Sequence, residues 1–153
     1  MDQKRTIGFW VIMVIGVLLL ALLLVGQTMS FINYDFTVSI GLQESRDVIG
    51  DMGVAMNKGF GVGDTIIYMP LLIAGLTGLW LRKMWGVFAM VSALAITAYW
   101  PMAVLFFLLF ARDVSGFNFT AYATYTMFLI PITLYGLWGV AYLYWYRNEV
   151  AGE

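Results

Sequence analysis

The chain has 153 residues, 62% of them apolar and only 11% charged, with a mean hydropathy of +0.87 and a formal net charge of −1. A water-soluble domain carries roughly a quarter charged residues, so this chain cannot cover its surface with solvated groups, and its natural solvent is lipid. It has no cysteine and no histidine, which excludes disulfides, thiol redox centres, imidazole-bound metals and the usual general base. A near-neutral charge provides no field for nucleic acid.

The charges delimit the elements. Thr6 to Tyr34, Thr65 to Leu81, Met84 to Ala111 and Val114 to Tyr146 are uncharged runs of 29, 17, 28 and 33 residues. A membrane-spanning helix takes about 20 mainly apolar residues. The runs therefore predict an all-α integral membrane protein, a four-transmembrane-helix bundle forming a single membrane domain over 1–153. The predicted spans are Gly8–Phe31, Asp64–Leu81, Trp85–Ala111 and Thr120–Tyr146, with an outer loop over 32–63. The first run exceeds the about 7–15 apolar residues of a cleaved signal, and Gly26-Gln27-Thr28-Met29-Ser30 is a poor cleavage site, so it reads as a retained helix.

Within the outer loop, Phe31 to Phe36 mixes aromatics with one acid and suits the membrane interface. Leu42 to Lys58 predicts a short interfacial helix. Val48, Met52, Ala55 and Met56 share one face, and Glu44, Asp47 and Asp51 share the other. Three acids on one face suit a basic partner; their spacing lacks the tight loop that calcium needs, and no metal or cofactor is expected. Gly59, Gly61 and Gly63 read as a turn into the second span, with Asp64 as its N-cap. The run lacks the spacing of a phosphate loop. The alternative for Asp64 is an acceptor of a proton or cation at a pore mouth.

Each later span holds one proline, Pro70, Pro101 or Pro131, with hydroxyls nearby: Thr65 and Tyr68, Thr97 and Tyr99, Thr133 and Tyr135. Proline removes a helical hydrogen bond and kinks the axis. The hydroxyls either satisfy the freed carbonyls or, with Asp64, line a ligand site or pore. Small residues at helical spacing (Ala74 and Gly78, Ala89 and Ala93, Gly136 and Gly139) mark packing faces. Gly136 and Gly139, with Glu44, Asp47 and Asp51, are also the candidate partner contacts.

Orientation follows lysine and arginine. Lys4, Arg5, Arg82, Lys83 and Arg147 fall on one side, and Arg46, Lys58 and Arg112 on the other. This places both termini in the cytoplasm, with a bacterial inner membrane as the expected location. Trp10, Trp80, Trp85 and Trp145 fall near the same ends, at headgroup depth. Four spans, cytoplasmic ends and a larger first outer loop give a layout that resembles claudin- and tetraspanin-type proteins. The paired cysteines that follow GLW in claudin-like loops have no counterpart, since Gly78-Leu79-Trp80 lies in the second span.

Without a base, hydroxyls are weak nucleophiles, so no enzyme activity is expected. The predicted function is an accessory, assembly or sensing subunit, acting through helix packing and an acidic outer loop. Its expected partners are membrane lipid and another membrane protein or a second copy. The alternative is a passive channel or binding protein for a small uncharged solute or lipid.

Overall fold

The computed structural model describes residues 5–152; Lys4 of the orientation argument lies outside them. Five helices account for most of this range: α1 (Ile7–Ile32), α2 (Tyr34–Ser39), α3 (Arg46–Trp80), α4 (Met84–Ala111) and α5 (Tyr122–Ala151). Four of them, all but α2, are long and apolar enough to cross a membrane, and no strand occurs among the described residues.

At the end that carries both termini, α1 starts on the Thr6 hydroxyl, which accepts from Phe9 N and also bonds the Tyr142 hydroxyl of α5. Arg5 donates to the Trp80 carbonyl at 2.9 Å and stacks over the Trp80 ring at 3.9 Å. The α3–α4 turn is tight: Lys83 N donates to Gly78 O at 2.8 Å, and Arg82 takes a left-handed φ of 53°. A Cβ on either Gly78 or Gly86 would run into the other's backbone, so two glycines let these helices touch. Gly136 and Gly139 do the same between α5 and α4, against Ala98 and Leu94. Close approach of this kind brings many backbone and side-chain atoms into van der Waals contact and holds the bundle through dispersion. The core so formed is sealed, with Ile12, Leu72, Leu79, Met90, Leu94 and Leu143 all at most 1% exposed.

The second span departs from the sequence expectation. Instead of an interfacial helix, a glycine turn and a span capped by Asp64, α3 runs unbroken through the glycines, which are helical. Asp64 has helical φ/ψ and lies inside α3, where it caps nothing. The only break is at Gly50, with φ 69° and ψ 175°. It rotates everything after it relative to Arg46–Ile49, so the predicted faces dissolve. Met52 is 79% exposed, while Ile49, Gly53 and Val54 point inward. The three acids part company as well. Asp51 pairs with Arg46 at 2.7 Å in solvent, Asp47 is exposed, and Glu44 precedes the helix and turns inward.

Candidate functional site

Two of the long helices change pitch at facing positions. In α1 the segment Leu24–Thr28, and in α3 the segment Asp64–Tyr68, adopt π-helical turns. Such turns are uncommon and gather at functional sites. Thr28 Oγ1 and Thr65 Oγ1 lie 2.8 Å apart and tie the two turns together. Thr65 also donates to the Gly61 carbonyl at 2.7 Å, and Ser30 to the Gln27 carbonyl at 2.7 Å. Gly61 rests directly on that Gln27 carbonyl and the Ser30 hydroxyl. Any side chain there would push α1 and α3 apart.

Asp64 sits at the start of the α3 π-turn and is only 7% exposed. Two contacts to α4 bracket it, one turn to either side. Phe60 packs edge-on against Trp100 at 6.5 Å, and the Tyr68 and Thr97 hydroxyls lie 2.6 Å apart. Asp64 has no hydrogen bond or ion pair to any described residue. Two fully buried polar atoms, Gln27 Oε1 and Trp100 Nε1, lack partners among the described residues. A buried polar atom without a partner costs about 1–3 kcal/mol. Gln27 on α1 thus holds an unsatisfied acceptor and Trp100 on α4 an unsatisfied donor.

From the loop end a second polar network leads toward the seam. Asn57 donates to the Tyr34 hydroxyl at 3.1 Å and to Gln43 Oε1 at 2.7 Å, and Gln43 donates to the Gly26 carbonyl at 3.2 Å. Tyr34 donates to the Glu44 carbonyl at 2.9 Å, and Tyr125 to the Glu44 carboxylate at 3.0 Å. Burial pushes the Tyr34 phenol above its ordinary range; the Asn57 bond opposes that and the Glu44 charge adds to it. A cavity of about 50 Å³ lies among Glu44, Asn57, Phe60 and Tyr125. Phe60 is shared by this cavity and the Trp100 contact, so its ring stands between network and seam. Toward the termini, Tyr135 donates to the Ile12 carbonyl at 3.4 Å, and the sealed core follows.

Of the sequence candidates, Asp64, Tyr68, Thr97 and Tyr135 reach the bundle interior. Thr133 is buried but spends its hydroxyl on the Leu129 carbonyl of its own helix at 3.1 Å. Tyr99 is 73% exposed and points away from the interior, because the Thr97–Tyr68 contact orients α4 the other way. Neither lines the seam. Gly136 and Gly139 are buried against α4 within the chain, so they are closed to a partner. Gln27, Thr28, Trp100 and Asn57 were not among the sequence candidates. The polar pair Gln27-Thr28, ending an apolar run, was the available signal. No three acidic side chains gather as a metal site among the described residues.

No protein-family model, curated protein or solved structure matches the chain.

Proposed function

We propose that this chain is a non-catalytic integral membrane subunit, accessory or sensing in role, and that the occupancy of the Asp64 seam is what it senses. The carrying observation is a carboxyl 7% exposed, without a partner among the described residues, inside a helix long and apolar enough to span. An ionisable group at membrane depth is costly, and such groups mark ion, proton or ligand sites. Counting about 1.5 Å per residue from Trp80, Asp64 stands about 24 Å from the headgroup level of the termini, inside a hydrocarbon core of about 30 Å. Arg5, Arg82, Lys83 and Arg147 at that end support cytoplasmic termini; the membrane we propose is a bacterial inner membrane.

A passive channel or a binding protein for a small uncharged solute or lipid is the second reading. The cavity at Glu44 and Asn57, about 50 Å³, supports it only for a solute of nearly water size. Passage through one chain would require opening the core around Ile12, Leu79 and Leu143, which argues for binding over conduction.

The test is native mass spectrometry of the complex extracted gently from its host at endogenous level, for wild type and Asp64→Asn. A defined second protein whose stoichiometry changes in the variant supports a sensing subunit. A chain that carries only a small molecule, with no protein partner, overturns that reading in favour of the second.

A further inference from the structure

A second feature lies at the loop end between α4 and α5. The two helices are in backbone contact where Gly136 meets Ala98. Toward the loop end they enclose an open groove with a volume of about 530 Å³. Met102, Leu105, Phe106 and Leu109 form one wall, at spacings of three and four residues, hence one face of α4. Tyr122 and Thr126 of α5 form the other, and Arg112 stands at the mouth.

We infer that this groove holds one acyl chain of an anionic phospholipid from the adjoining leaflet, with its phosphate on Arg112. Two observations select that occupant. By the same count Met102 stands about 26 Å from the headgroup level of Trp85, and from there to Arg112 the helix rises about 15 Å more, so the groove runs from the outer part of a hydrocarbon core of about 30 Å to the headgroup level beyond it. A chain lying in the groove thus brings its headgroup to the arginine. The guanidinium is also available. Its side chain is 62% exposed, and its contact with Asp113 Oδ1, itself 91% exposed, is long at 3.8 Å. Exposed pairs of that kind contribute little, whereas a phosphodiester accepts two parallel N–H bonds from arginine. The inference does not depend on the role proposed for Asp64, which belongs to the α3–α4 interface.

The test is native mass spectrometry of the full-length chain in detergent, with equal amounts of phosphatidylglycerol and phosphatidylcholine bearing identical acyl chains. The wild type is expected to retain phosphatidylglycerol about fivefold better, the scale of one basic group near an anionic surface. Arg112→Gln should abolish the preference while lipid of both kinds still binds. Thr126→Trp, or Met102→Trp from the opposite wall, should lower retention of both lipids at unchanged helix content. Equal retention by the wild type, or an undiminished preference in Arg112→Gln, overturns the inference. So does a dimer that Thr126→Trp converts to monomer, since a second copy would then fill the groove.

Discussion

Thr28 Oγ1 of α1 and Thr65 Oγ1 of α3 meet at 2.8 Å, which joins the only two π-turns among the described residues. The bond sets the register of the two helices at the depth of Asp64. Side-chain hydrogen bonds between membrane helices average about 0.6 kcal/mol. A double-mutant cycle of Thr28→Val and Thr65→Val, followed by reversible unfolding in mixed micelles, should return a coupling of that size. A coupling of zero would mean that packing at Gly61 alone holds the register.

The glycines divide sharply by surroundings. A Cβ on Gly136 would lie 2.6 Å from Ala98 N and 2.7 Å from Leu94 O, both backbone atoms that cannot yield. Gly136→Leu should therefore cost about 3 kcal/mol or more, or prevent α4 and α5 from docking. Gly63 is helical with open space around it, and Gly63→Ala should stabilise by about 0.5–1 kcal/mol. Unfolding midpoints of the two variants should move in opposite directions.

Gly50 holds φ at 69° within α3, a conformation unfavourable to any residue with a Cβ. Gly50→Ala should destabilise the loop end by about 1–2 kcal/mol. Faster hydrogen exchange at the amides of Val48 and Ile49, with the core around Leu79 and Met90 unchanged, is the expected signature.

Asp64 occupies its site at a cost to stability, since no described residue partners it. Asp64→Asn, which keeps the shape and removes the acid, should raise thermal stability by a few degrees and, under the sensing role proposed above, leave the subunit unresponsive to whatever occupies the seam. A stabilised and unresponsive variant fits a functional carboxyl. A destabilised one would show that Asp64 has a structural partner.

Tyr34 links pH to the loop end. Its phenol is raised by burial, so its contribution to stability is complete below the ordinary value of about 10 and disappears as pH climbs through the higher folded value. Tyr34→Phe should remove this loss above pH 10, and with it one late-ionising phenol in an ultraviolet titration. It also deprives Asn57 of one acceptor, so the variant should be less stable at neutral pH.

The sequence by itself determined the number of long apolar helices. The uncharged run Met84–Ala111 is helical throughout and Val114–Tyr146 is helical from Tyr122 onward, since a helix bonds its backbone groups within its own segment. The sequence also named Asp64 at the edge of an uncharged run and Tyr68, Thr97 and Tyr135 within such runs, since polar groups against an apolar background stand out. It did not reveal that α3 runs straight through Gly59, Gly61 and Gly63. Local propensity there favours a turn, and only the Gln27 carbonyl and Ser30 hydroxyl of α1, pressed on Gly61, explain why a residue without a side chain stands in the helix. One left-handed residue, Gly50, reset the phase of the loop segment and scattered the acidic face that periodicity had drawn. Which hydroxyls turn inward was likewise decided by rotation of whole helices. Thr97 and Tyr99 are two residues apart on α4, yet one meets Tyr68 and the other faces outward. Helix rotation is set by contacts between segments distant in the chain, and no local pattern records it.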